Sequence, residues 1–71
     1  MVKCQTTITK EQYDRAQEHN GSIPKEDEDE VFGTAVTLGY GLYGNTAFKE
    51  ENPETGKTEY YVIYYRGDSC D

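Results

Sequence analysis

Alternation of apolar and polar residues marks the beginning of the chain as a strand, because a period of two is typical of a half-buried strand. From Val2 to Ile8, the side chains of Cys4 and Ile8 fall on one face and the more polar residues fall on the other. A second and stronger strand is predicted from Thr58 to Arg66, where Tyr, Val and Ile dominate.

The segment before this last strand is predicted to pair with it as a hairpin. Tyr43 to Glu50 is predicted to be a strand, and Asn52 to Gly56 has the composition of a turn. Pro53 suits the first central position of a type I turn, and Gly56 supplies the positive φ that a four- or five-residue hairpin loop requires.

The last strand carries large side chains on both faces. Two rows alternate along it: Tyr60, Val62 and Tyr64, then Tyr61, Ile63 and Tyr65. Since helices can cover only one row, the other is expected to stay at least partly exposed, which suits tyrosine because its ring is apolar and its hydroxyl can remain hydrated.

A helix is predicted to follow the first strand, from Lys10 to about His19. Thr9 can cap it, and Gln12 three residues later completes a capping box. The helix is expected to end at Asn20-Gly21, because glycine adopts the left-handed conformation that closes helices.

A second helix is predicted to start with Ser22 as its cap and Pro24 in its first turn. Five consecutive acids come next, Glu26 to Glu30, and negative charge is favourable near the positive end of the helix dipole. Glycine at position 39 would end this helix. Helical spacing of the later apolar residues favours this interpretation over a strand from 31 to 38: Val31, Phe32, Ala35 and Leu38.

Together these elements predict one small domain, residues 1–71, in the order strand, helix, helix, strand, strand. The fold class is α+β with two layers, a three-stranded antiparallel or mixed sheet carrying both helices on one face. A chain of 71 residues with 34% hydrophobic content has no room for a second core.

Charge restricts the kinds of partner. Fourteen acidic residues against seven basic ones give a formal net charge of −7, which repels phosphate and disfavours direct nucleic-acid binding. The sequence contains no stretch of the roughly 20 apolar residues that span a bilayer, and its first residues do not resemble a secretory signal. We therefore expect a cytoplasmic protein with no membrane contact.

The two cysteines, Cys4 and Cys70, are too few for a disulfide scaffold and do not match a zinc spacing. Free thiols in a reducing compartment are the expectation. The alternative is a bridge between the chain ends, which would require Cα atoms within ~7 Å of each other. A redox role for the pair is a further hypothesis.

Catalytic and cofactor motifs receive little support. The glycines at 39, 41 and 44 spell G-x-G-x-x-G, but they follow a predicted helix and precede a strand, the reverse of a dinucleotide site. His19 is the single histidine, and no spacing identifies a nucleophile with its base. The acidic run lacks the alternation of a calcium loop. No catalytic residue, metal or cofactor is predicted.

Two segments carry a resemblance, Gly39 to Gly44 and Tyr65 to Asp71. They resemble small proteins carried on bacterial mobile elements, a likeness that covers roughly the C-terminal half of the chain. In size, acidity and layout the chain is also similar to phage-encoded inhibitors such as anti-CRISPR proteins. That resemblance implies a small acidic domain that occupies the nucleic-acid groove of a host defence enzyme.

The predicted function is therefore a non-enzymatic inhibitor or adaptor that binds a basic, nucleic-acid-binding surface of a host protein by phosphate mimicry. Carboxylates would orient the partner and tyrosines would anchor it. The alternative is a self-associating structural module, a homodimer formed through the tyrosine-rich hairpin. The candidate partner-binding residues are Glu26, Asp27, Glu28, Asp29, Glu30, Glu50, Glu51, Tyr60 and Tyr64.

Overall fold

The structure, a computed structural model, describes residues 1–33, 42–67 and 70. Within these residues two helices lie on one face of a three-stranded antiparallel sheet, so the predicted α+β fold is confirmed. The elements, in chain order, are β1 (Val2–Thr7), α1 (Lys10–Glu18), α2 (Lys25–Phe32), β2 (Leu42–Glu51) and β3 (Thr58–Arg66).

β3 is the central strand, and β1 and β2 flank it. Both pairings are antiparallel, with Cys4 and Ala47 next to Tyr64 and Val62 respectively. β2 and β3 are neighbours because a short hairpin joins them, whereas the two helices lie between β1 and β2 in the chain. The result is a sheet whose two edges belong to β1 and β2.

The two faces of the sheet differ in what covers them. We call the face that packs against the helices the inner face; Tyr60, Val62 and Tyr64 lie on it, and Val62 is completely buried. The opposite face, the outer face, carries Tyr61, Ile63 and Tyr65, which are half-buried or exposed. The predicted division of the last strand into a covered row and a partly open row is thus confirmed.

The hydrophobic core is small and lies between the inner face and the helices. Phe32 of α2 packs against Tyr64 with ring centroids 4.7 Å apart, and Tyr13 of α1 packs against Tyr60 at 5.1 Å. The buried hydrophobic residues among those described are Cys4, Ile8, Ala16, Ile23, Phe32, Ala47, Val62 and Tyr64.

The capping box at the start of α1 is present as predicted. Thr9 Oγ1 accepts a hydrogen bond from the Gln12 amide at 3.0 Å, and the Thr9 amide donates to Gln12 Oε1 at 2.8 Å. Gln12 is buried, and its Nε2 donates to Glu30 of α2 at 2.9 Å. Gln12 therefore helps to cap the N-terminus of α1 and links α1 to α2.

We expect Thr9→Ala to lower the free energy of unfolding by about 1 kcal/mol, because the first turn of α1 loses a capping hydrogen bond. Urea denaturation measures the change. Thr9→Ser keeps the hydroxyl and is the control, expected to remain close to the wild type. Equal losses in the two variants would contradict a role for the hydroxyl in capping.

The predicted bounds of the second helix are wrong at both ends. Ser22 does not cap it; Ser22 Oγ donates to the His19 carbonyl, and Pro24 occupies the N-cap without a side-chain hydrogen bond. The helix ends at Phe32, because Gly33 has φ 92°, outside the helical range. The strand interpretation is wrong for residues 31 and 32, which are helical, and for Gly33, which lies in neither a helix nor a strand; residues 34–38 lie outside the described residues.

The hairpin turn is confirmed. The Asn52 amide donates to the Lys57 carbonyl at 2.8 Å, and the Gly56 amide donates to the Asn52 carbonyl at 2.8 Å. Gly56 has the predicted positive φ, 72°. The Asn52 side chain accepts from the Glu54 amide at 2.9 Å, which closes the turn from within.

Cys4 and Cys70 form a disulfide, with Cα atoms 5.5 Å apart, so the expectation of free thiols is wrong and the alternative of a terminal bridge is confirmed. Cys4 lies on the inner face and is buried, whereas Cys70 is exposed. Disulfides persist in oxidising compartments and are rare in the cytosol. The cysteines therefore no longer support a reducing compartment.

Candidate protein-binding surface

The outer face of the sheet presents large apolar side chains to solvent. Tyr65 is 40% exposed and Phe48 is 37% exposed, with Tyr61 and Ile63 half-buried between them. The polar residues Lys3, Gln5 and Thr7 of β1 lie along one side of this row. Neither described helix packs on this face, so the aromatic rings are available for contact.

Phe48 and Tyr61 form a stacked pair on this face. They are directly opposite in the β2–β3 register, and their rings stack with centroids 5.5 Å apart and an interplanar angle of 22°. Cross-strand aromatic pairs stabilise sheets. An aromatic platform that is already ordered loses less conformational entropy when a partner binds it.

Uncompensated carboxylates lie at the hairpin end of the same face. Glu50 and Glu59 are directly opposite each other in the register and both are exposed. Like charges in this position repel. Two ion pairs are seen among the described residues, Lys10–Asp14 and Arg15–Asp27, and neither includes these acids. With Glu51 and Glu54, both exposed, they form a group that we call the hairpin acids.

The acidic run of α2, Glu26 to Glu30, is less available than the sequence suggested. Asp27 is buried and accepts from Arg15 Nε at 2.7 Å, a hydrogen bond that raises the pKa of the guanidinium. Glu30 accepts from Gln12, as described above, and Asp29 has an interaction of its own. Asp27 and Glu30 therefore contribute to holding α1 and α2 together.

The structure separates the two acidic groups that sequence reasoning combined. The run in α2 lies on the inner side of the sheet, near Tyr64, through the packing of Phe32. The hairpin acids lie at the other end of β3, where Glu59 is five residues from Tyr64, or ~16 Å along a strand. The run in α2 is therefore on the helix-covered side of the sheet, whereas Glu50 and Glu59 are on the outer face.

The two tyrosines proposed as anchors are on the wrong face. Tyr64 is 8% exposed and belongs to the core, and Tyr60 is half-buried against Tyr13. The Tyr64 ring cannot enter a partner without leaving the domain's own interior, and the Tyr60 ring is partly covered by Tyr13. Three described aromatic residues are exposed, Tyr43, Phe48 and Tyr65, and the last two lie on the outer face together with half-buried Tyr61.

The sequence contains a pattern from which the outer-face aromatic residues could have been found. Once the turn is closed by Asn52 and Lys57, counting outward along both strands places Glu50 opposite Glu59 and Phe48 opposite Tyr61. The hairpin register alone therefore groups an aromatic pair with a pair of carboxylates. What it leaves open is which face the helices cover.

The comparisons with known proteins add no further constraint: no family model, curated protein or solved structure matches the chain. Within residues 1–33, 42–67 and 70, no group of three or more His, Cys, Asp or Glu side chains is placed to hold a metal ion. Neither helix in that part of the chain is long and apolar enough to cross a bilayer.

Proposed function

We propose that this protein is a non-catalytic module that binds a basic surface of another protein through the outer face of its sheet. The observation that supports this most directly is the juxtaposition of exposed aromatic rings, Phe48 and Tyr65, with the unpaired carboxylates Glu50 and Glu59. Carboxylates accelerate and orient the encounter with a cationic surface, and buried aromatic rings supply most of the residence time.

The charge of the whole chain favours a basic protein over a second copy as the partner. A homodimer through this face would oppose two molecules that each carry a net charge of −7 and the same hairpin acids. A cationic surface would instead be attracted by these negative charges. Sedimentation at several concentrations separates the two, since a tight dimer would reassign the outer aromatic residues to self-association.

The cationic surfaces that best match this pattern are those that nucleic-acid-binding proteins present to phosphates. The protein would then act as a competitor of nucleic acid, an inhibitor of the phage or mobile-element type, anti-CRISPR or anti-defence in role. A host-cell cytoplasm is the location that this role implies. The Cys4–Cys70 disulfide is the observation that weighs against that compartment.

A matched pair of charge variants tests the proposal. Glu50→Gln/Glu59→Gln removes two charges from the outer face, and Glu26→Gln/Glu28→Gln removes two from α2, so the net charge is identical. We expect the hairpin variant to weaken binding to a purified, captured partner about fivefold and to flatten its salt dependence. The α2 variant should bind nearly as the wild type does.

The measurement is the Kd by calorimetry at low and moderate salt, after capture from a host extract and purification of the captured protein. Competition by nucleic acid for the same partner supports the inhibitor role. A partner whose affinity does not change with salt, or that is weakened equally by both variants, would refute binding through the outer face.

A further inference from the structure

A cavity lies on the β1 side of β3, where β1 has ended but β3 continues. β1 stops at Thr7, opposite Tyr61, whereas β3 extends three residues further, to Thr58, and remains paired there with β2 alone. The cavity has a volume of about 380 Å³. It is lined by Gln5, Thr7, Ile8, Thr58, Glu59, Tyr60 and Tyr61.

Hydrogen-bond acceptors surround this cavity. Glu59 contributes a carboxylate, and Thr7 and Thr58 contribute hydroxyls. The Ile8 amide donates to the Tyr60 carbonyl at 3.0 Å, so the even-numbered residues of β3 direct their backbone groups toward β1. At Thr58 no β1 residue is opposite, and its carbonyl is therefore a further acceptor at the cavity.

One wall of the cavity is aromatic and held in place. Tyr61, whose ring stacks on Phe48 of β2, is one of the residues that line the cavity. A flat ring beside a carboxylate matches a guanidinium, which is planar, packs against aromatic faces and donates several hydrogen bonds at once. An ammonium group lacks the planar shape, and a phosphate would meet the Glu59 carboxylate.

We propose that this cavity binds an arginine side chain of the basic partner, with the guanidinium against Tyr61 and hydrogen-bonded to Glu59. This inference rests on the proposed function, whose partner it makes more specific. A second copy of this chain is a poor source of that group, because one of its two arginines, Arg66, is buried and the other, Arg15, is held by Asp27.

The probe is an acetylated arginine amide titrated into ¹⁵N-labelled protein, with the citrulline analogue as a neutral control of the same shape. We expect saturable amide shifts centred on Thr7, Glu59 and Tyr61 with a Kd on the order of 1–10 mM. Citrulline should bind about tenfold more weakly, because it has no charge for Glu59 to receive.

Two variants test which carboxylate binds the guanidinium. Glu59→Gln should weaken arginine binding about fivefold, while Glu26→Gln, which removes the same charge from an exposed residue of α2 outside the cavity lining, should change it less than twofold. Shifts centred on the turn or on α2, equal binding of citrulline and arginine, or equal effects of the two variants would overturn the proposal.

Failure of the arginine site and failure of the proposed function are distinguishable. If the probe binds at Glu59 while the outer-face charge variants leave partner binding unchanged, the cavity is an arginine site that this partner does not use, and the proposed function is wrong. If partner binding depends on the outer face but the probe gives no saturable shifts, the arginine site is wrong and the proposed function stands.

Discussion

Reduction of the Cys4–Cys70 disulfide is expected to lower the free energy of unfolding by about 4 kcal/mol. The bridge joins residues 66 positions apart, so it closes nearly the whole chain into a loop. In the chain-entropy description a loop of this length removes enough freedom from the unfolded state to give about that value. Small domains have total stabilities of only about 0.05–0.15 kcal/mol per residue, so this loss is a large share.

Urea denaturation with and without a reducing agent measures the effect. Cys70→Ser is the clean control, because Cys70 is exposed and its substitution leaves no cavity, whereas Cys4 belongs to the core. The variant should match the reduced wild type and should not respond to the reducing agent. A difference below about 1 kcal/mol between the oxidised and reduced protein would contradict the expectation.

The same bridge decides where the protein can act. A thiol count on protein isolated from its host distinguishes the two states. If no thiol reacts, the bridge exists in the cell and the cytoplasmic expectation is wrong, since glutathione and thioredoxin keep cytosolic thiols reduced. If two thiols react, the protein works in the reduced form, with the lower stability predicted above.

Elements specified by neighbouring residues were predictable from the sequence. The capping box depends on Thr9 and Gln12, three positions apart, and the hairpin depends on a turn of a few residues with Gly56 at a positive φ. The end of α2 could not be predicted from the sequence, because apolar residues continue at helical spacing beyond Gly33 while the backbone leaves the helix there. Spacing does not report the conformation of a single glycine.

The sequence could not predict which face of the sheet the helices cover, and here the physical reason is different. Both rows of β3 consist of two tyrosines and one β-branched residue, so burial of either row gains similar apolar area. The decision depends on Tyr13 and Phe32, which pack on the inner row from two separate helices. The disulfide likewise depends on distant segments, since its cysteines are brought together by the β1–β3 pairing.

The adjacent tyrosines of β3 give the sharpest test of the two faces. Tyr64→Ala removes a ring that is 8% exposed and packs on Phe32, and should lower the free energy of unfolding by about 3–5 kcal/mol. Tyr65→Ala removes a ring that is 40% exposed on the other face, and should change stability by less than about 1 kcal/mol. Urea denaturation compares the two.

Tyr65→Ala, which should affect stability little, is expected to have the larger effect on binding to the captured partner. Tyr65→Ala is expected to weaken it at least about tenfold, because an aromatic anchor is lost while the fold is kept. Tyr65→Phe keeps the ring and is the control, expected to retain most of the affinity. If Tyr65→Ala binds as tightly as the wild type, or if it unfolds the domain as Tyr64→Ala does, the outer face is not the docking surface. Because the two residues are neighbours in one strand, only the side of the sheet that each ring occupies can account for a reversal between stability and binding.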